Sequence, residues 1–241
     1  MRGGRHIAVG LVLVIGLTAV LAARAEAERR RGRRSNMPPG WTWPPSPAMK
    51  RAGERCLERL RAAGVDWKPA PRTRAVATPV LVPSMVLGGV KLTPTYRRPP
   101  FVMDCHLALA LAEHGEVLRQ LGVRELRFST IHEYRRIRLR GRTGRALSRH
   151  SLGLAIDVYE VVTDDGERLE VVKRYRRGDP TLLAVERSVR SSLAFRRPLT
   201  PGNSPRSHRD HFHLEATVSY AEDRSRTAAL ERRGVRKLDA M

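Results

Sequence analysis

Ser148-Arg149-His150-Ser151-Leu152-Gly153-Leu154-Ala155-Ile156-Asp157 carries a histidine and an aspartate seven residues apart with a glycine between them. On a straight helix that separation spans two turns, ~10 Å, too far for both side chains to reach one metal ion through bonds near ~2 Å. The chain between them must bend. Gly153 permits the bend, and Ala155 to Val162 can then run as a strand that delivers Asp157. A second stretch, His208-Arg209-Asp210-His211-Phe212-His213-Leu214-Glu215, complements the first. On a strand alternate side chains share a face, so His211 and His213 point one way, ~7 Å apart, while Phe212 and Leu214 face the opposite layer. The chain has eight histidines, and half of them fall in these two stretches.

Two imidazoles and a carboxylate suit zinc, and three protein ligands leave a fourth position for water, the arrangement of catalytic sites. Zinc acidifies such a water and polarises a carbonyl, so hydrolysis is the expected chemistry. Only one histidine of the strand need be a ligand. With a metal in front of His213, His211 and His208 stand ready to exchange protons with water or a leaving amine, or to stabilise an oxyanion. Glu215 is read as a surface residue or one that orients an imidazole. His106 and His114 fall on a helix, His132 in a loop or strand end, and His6 near the N-terminus.

Working outward, Ser46-Pro47 is a helix entry, followed by Ala52, Cys56, Leu60 and Ala63 at helical spacing up to Gly64. Asp104 is a cap for a second helix, with Cys105 in its first turn and Leu107, Leu111 and Leu118 on one side up to Gly122. Residues 68–100, rich in Pro, Val and Thr, predict short strands and turns, and Glu125 to Ile131 a further strand. Ala155 to Val162 and Arg168 to Val172 flank Asp164-Asp165-Gly166 as a hairpin. Asp179-Pro180 opens a third helix with Leu182, Val185, Val189 and Leu193. His211 to Val218 reads as a strand. Helices followed by antiparallel strands with one late helix describe an α+β domain.

The N-terminus predicts export. Arg2 and Arg5 precede an uncharged run from Ile7 to Ala23, and Ala23, Ala25 and Ala27 fit A-x-A cleavage, so residues 1–27 are a signal peptide or, uncleaved, a membrane anchor. Residues 28–47 combine five arginines with Pro38, Pro39, Pro44, Pro45 and Pro47 and predict a basic linker in which Trp41 and Trp43 either dock on the domain or stack on sugar. The domain is placed at 48–220 and a tail at 221–241. Export places the protein in the periplasm or outside the cell, where two thiols pair, making Cys56–Cys105 a candidate disulfide between the two helices; two separate buried thiols are the alternative. A formal net charge of +22 would suggest nucleic acid in a cytosolic protein. The export signal, and arginines not interleaved with aromatics, argue instead for no nucleic acid and for attraction to an anionic envelope polymer, or for a solvated basic surface with no dedicated partner.

Taken together, Ser148 to Val158 and His208 to Glu215 resemble the bacterial extensin-like C-terminal domain proteins. More distantly they are similar to zinc peptidases of the murein endopeptidase, D-alanyl-D-alanine carboxypeptidase and hedgehog-fold group. The resemblance runs from about Cys56 to Glu215, through Cys56-Leu57, Leu92-Thr93-Pro94, Cys105 and Tyr134. It implies a small antiparallel sheet flanked by helices, with zinc as cofactor and His150, Asp157 and His213 as its ligands. His211 takes the place of the catalytic residue and His208 that of a further active-site histidine. The implied substrate is peptidoglycan, cut at D-amino-acid peptide bonds, with an arginine after a tyrosine holding the substrate carboxylate. Here that region reads Tyr134-Arg135-Arg136-Ile137-Arg138, which makes Tyr134, Arg135 and Arg136 the candidates. The family's Cys and then Arg after this tyrosine are not kept, and a later family cysteine is missing, so one expected disulfide is absent. The hedgehog domain shows that this fold can keep zinc without cutting, so the alternative is a non-catalytic wall-binding or scaffold module.

Overall fold

The computed structural model describes residues 36–139 and 142–221. The apolar run read as signal or anchor, the arginine run and the tail beyond Ala221 lie outside them.

Helix α1 spans Pro47–Ala62, with Pro47 in its first turn and the Ser46 hydroxyl accepting from Met49 N at 3.3 Å. It buries Met49, Ala52, Cys56 and Leu60 and ends where Gly64, at φ +70°, turns the chain so that Val65 N–H returns to the Leu60 carbonyl. Strands β1 (Lys68–Pro69) and β2 (Pro79–Leu81), with β5 (Met103–Asp104), form a small antiparallel sheet. Between β2 and β5 come β3 (Val86–Leu87) and β4 (Val90–Pro94).

Helix α2, Cys105–Gln120, is the centre of the core. Leu107, Leu111 and Leu118 are buried as expected, and Leu107 to Ala112 are buried without a break, so the first half of the helix is covered on every side, while Glu113, Glu116, Val117 and Arg119 leave its second half one exposed face. Asp104 caps it, accepting from His106 N at 3.0 Å, and its other oxygen accepts from Thr78 N at 2.9 Å beside β2. With the carboxylate fully buried, Asp104→Ala removes a cap and orphans the Thr78 amide. It is expected to destabilise the domain by about 2 to 4 kcal/mol, read as a lower urea midpoint at unchanged slope.

The main sheet has the order β10-β9-β6-β4-β3, built from β6 (Val123–Thr130), β9 (Ala155–Thr163) and β10 (Arg168–Glu170) with β3 and β4. Here one expectation is corrected: the sheet is mixed, because β4 and β6 run parallel from Lys91↔Glu125 to Pro94↔Phe128. The chain from β4 to β6 passes through α2, and a helical crossover of that length allows parallel pairing. The remaining pairs of this sheet are antiparallel. Strand β9 is the centre of it. One edge meets β6, and the other is shared by β10 at Glu160 to Val162 and by β11 (Phe212–Glu215) at Ala155 to Val158.

A separate hairpin, β7 (Arg136–Leu139) with β8 (Arg142–Leu147), was not anticipated, although Arg136-Ile137-Arg138-Leu139 alternates with a strand's period. The strand expected over Arg168 to Val172 stops at Glu170, and Val171–Arg174 forms a short helix, α3, whose first residue is fully buried. Helix α4, Pro180–Ser191, starts as expected, with the Asp179 carboxylate accepting from Leu182 N at 3.0 Å.

Cys56 and Cys105 are disulfide-bonded, joining α1 to the start of α2 with Cα atoms 6.1 Å apart. Of the stretch read as linker, Met37 and Trp41 pack against the core, and the Pro39 carbonyl accepts from Tyr220 N at 2.8 Å.

Candidate metal centre

His150 lies on a 3-10 turn, Arg149–Leu152, that the Ser148 hydroxyl caps through His150 N. The turn ends at Gly153, which at φ +65° makes the bend that the sequence requires. A Cβ there would also stand 2.7 Å from Asp104 N, whose N–H donates to the Gly153 carbonyl, so the position excludes any side chain. The His150 ring Nδ1 is 3.0 Å from the Ile131 carbonyl, which makes Nδ1 the protonated nitrogen and leaves Nε2 with its lone pair facing forward.

Asp157, on β9, and His213, on β11, are direct cross-strand partners, so their side chains emerge side by side on one face. His213 N and O also exchange hydrogen bonds with Leu199, so the outer edge of β11 is covered. Asp157 Oδ1 lies 2.7 Å from His213 Nδ1 and 3.2 Å from His150 Nε2, and the two nitrogens are 3.1 Å apart. Four ligands around zinc with bonds of ~2.0–2.1 Å sit at tetrahedral edges of roughly 3.3 Å, close to the 3.2 and 3.1 Å separations, while Asp157 and His213 are at hydrogen-bond distance. Each of the three residues is buried.

The electrostatics point the same way. His213 stands between two carboxylates, Nδ1 2.7 Å from Asp157 Oδ1 and Nε2 3.0 Å from Glu215 Oε1; with its hydrogen kept at Nε2, Nδ1 presents a lone pair to the cluster, as does His150 Nε2. Two lone pairs and a carboxylate oxygen aimed at one point repel one another unless a cation or proton lies between them. Burial works against charge on His213, but hydrogen bonds to Asp157 and Glu215 outweigh it and raise its pKa to about 9. Burial likewise opposes ionisation of Asp157, yet hydrogen bonds from His150 and His213 hold its carboxyl well below the usual carboxylate range. A divalent cation bound here would replace the proton on His213, so its uptake would release that proton. One carboxylate and two imidazoles converging on one point are a donor set that fits zinc.

His208 and His211 lie beside this cluster. Extending the β9–β11 register by one step brings His211 to Tyr159, and the two rings stack at 4.8 Å and 24°. His211 Nδ1 meets Asp210 Oδ1 at 2.9 Å while Nε2 turns inward, 3.5 Å from Asp157 Oδ1. The His208 ring centre is 5.3 Å from that of His213 and 5.0 Å from that of His211. Its Nδ1 is held by the hydroxyls of Ser204 and Ser207 at 3.0 and 2.9 Å. Burial, then the charges of His213 and His211, lower its pKa to about 4.

Tyr134, Arg135 and Arg136 are exposed, and the segment reaches the centre through its main chain. Arg135 N donates to Ser151 Oγ at 2.7 Å, Ser148 N to the Arg135 carbonyl at 2.9 Å, and Glu133 N to the His150 carbonyl at 3.3 Å. The Tyr134 ring carries the guanidinium of Arg74, 4.1 Å from its centroid, a residue that no sequence signal had singled out. His106 bonds Asp104 and His114 bonds Ser188, both structural contacts of α2.

A family model described as Extensin-like protein C-terminus matches residues 54–225. The chain belongs to this family. No curated protein and no solved structure matches the chain. The matched span of the extensin-like domain holds both cysteines, the three clustered residues, His208, His211 and the Tyr134 segment.

The extensin-like domain also places residues at the centre that sequence reasoning missed or left open. Glu215 is buried against His213, not at the surface; its alternation with His211 and His213 on one strand face was the available signal. Arg149 and Arg196 face its second oxygen, and Tyr159 and Asp210 fix His211. Nothing local marks Arg149, a charged side chain only 4% exposed.

Proposed function

We propose that this extensin-like domain is a zinc-dependent peptidoglycan hydrolase of the cell envelope, exported and cutting peptide bonds that involve D-amino acids. The observation that carries the reading is the convergence of His150 Nε2, Asp157 Oδ1 and His213 Nδ1 within 3.2 Å of one another. The motif resemblance to murein endopeptidases, D-alanyl-D-alanine carboxypeptidases and the hedgehog fold supports it, as does the formal net charge of +22, which suits an anionic wall polymer. Zinc held by these three residues supplies Lewis acidity towards a carbonyl oxygen and acidifies water towards a pKa near ~7. Hydrolysis also needs a proton taken from water and one given to the leaving amine. His211 is suited to both transfers, because Asp210 and Tyr159 fix its ring and Nε2 faces the cluster. His208, held through Nδ1 by two serines, offers its other nitrogen as a neutral partner on the same side. The arginines near Tyr134, with Arg74, supply positive charge for a substrate carboxylate.

The test combines metal analysis with mass spectrometry of peptidoglycan digested with and without a chelator. His211→Ala is expected to keep its zinc while muropeptide release falls by about 10²-fold or more. Zinc-loaded wild type that leaves every wall preparation uncut would sink the hydrolase reading. That result would favour the second reading, a wall-binding module that keeps zinc for stability. The burial of all three ligands is the observation in favour of that alternative, and it predicts pelleting with insoluble peptidoglycan and no new chain ends.

A further inference from the structure

Glu215 closes the side of His213 that faces away from the cluster. Its Oε1 lies 3.0 Å from His213 Nε2, and its Oε2 is 2.5 Å from Arg196 Nη1 and 3.9 Å from Arg149 Nε. Arg196 is bound a second time, its main-chain N–H donating to the Glu215 carbonyl at 2.8 Å. Arg149 is buried directly before His150, and its Nε and Nη1 have no hydrogen-bond partner among the described residues, so Glu215 is the negative charge its guanidinium faces. A buried carboxylate is costly without cationic partners, and two arginines hold this one ionised and in place.

A histidine can bind a metal through either ring nitrogen, and the one that keeps its hydrogen cannot. An ionised carboxylate only accepts, so it requires N–H at His213 Nε2 and leaves Nδ1 as the donor. We infer that Arg149, Glu215 and Arg196 form a positioning bracket that makes His213 meet the metal through Nδ1, an inference that rests on the metal reading of the site. The bracket has a structural corollary. Arg149 adjoins the first ligand and Glu215 follows the last by two residues, so their pairing ties the 3-10 turn to β11 and sets the two imidazoles together. His150 has no such bracket; its Nδ1 meets a neutral carbonyl. The charged partner therefore makes His213 the stronger electron donor of the two imidazoles.

The experiment measures zinc affinity by competition with a chromophoric chelator, and the spectrum of ¹⁵N-histidine-labelled, zinc-loaded protein. The wild type is expected to show His213 bound through Nδ1 with Nε2 protonated. Glu215→Gln, which keeps the volume and removes the charge, is expected to weaken zinc binding by about 10- to 100-fold. Arg196→Gln, at a partly exposed position, is expected to weaken it by a smaller factor, and serves alone if the Glu215 variant does not fold. Coordination of His213 through Nε2, or variants matching the wild type in affinity and spectrum, would overturn the bracket while leaving the metal site standing. A wild type that takes up no zinc would overturn both.

Discussion

Asp157→Ala is expected to abolish the proposed stoichiometric zinc uptake, lowering affinity on the order of 10³-fold, because it would remove the one carboxylate of the three-residue cluster and leave two imidazoles. The position admits no substitute from nearby. Asp157 is the cross-strand partner of His213 on β9 and is also paired with Thr130 of β6, so neither backbone can shift to present another group. The effect should appear twice, as lost metal after gel filtration and as lost stabilisation on heating. A ligand at 1,000 times its Kd adds about 4 kcal/mol to the native state, and a chelator should remove that from the wild type but not from the variant. The pH dependence has a definite sign. Uptake would displace the proton that Asp157 and Glu215 hold on His213, whose pKa their hydrogen bonds raise to about 9. Zinc affinity should therefore rise with pH, by about tenfold per unit between pH 7 and 9, and level off above. An Asp157→Ala protein that still carries one zinc would rule the site out, and a flat pH profile would overturn the displacement of a proton from His213.

Cleavage of the Cys56–Cys105 bridge is expected to have the second largest effect. The cysteines are separated by 49 residues, and closing a loop of that length restricts the unfolded chain by about 4 kcal/mol in the entropic model. Both are core residues with at most 2% exposure, so a reductant reaches the bond only after α1 lifts from α2. The Cys56→Ser, Cys105→Ser double variant should unfold at a markedly lower urea concentration than the oxidised wild type, and reduced wild type should approach the variant. An unchanged midpoint would show that the two helices are held by packing alone. The bridge also bears on the candidate metal centre. Asp104 adjoins Cys105, and its N–H donates to Gly153, three residues from His150, so loosening the start of α2 should also weaken zinc binding.

The strongest sequence signals were those whose geometry is set within a few residues. Ser46-Pro47, Asp104 and Asp179-Pro180 each mark a helix start by a side chain that reaches its own first turn, and all three helices begin there. Gly153 was legible because a histidine and an aspartate seven apart can converge only through a bend. The parallel pairing of β4 with β6, the all-round burial of the first half of α2 and the short helix α3 after β10 were not legible. Each depends on what lies across the gap, and a sequence pattern records the solvent face of an element more clearly than the identity of its neighbour.

The candidate metal centre divides along the same line. Two dense clusters of histidine and aspartate, with the strand alternation of His211 and His213, determined which residues were candidates, because residue type and local period are properties of the chain itself. Tertiary structure alone decided that His213 faces Asp157 across β9 and β11, that Nδ1 rather than Nε2 turns to the cluster, and that Arg149 and Arg196 close on Glu215. Those relations join residues distant in the chain or arise from strand register. Register is set by the whole buried face of the sheet, which no single stretch of sequence contains.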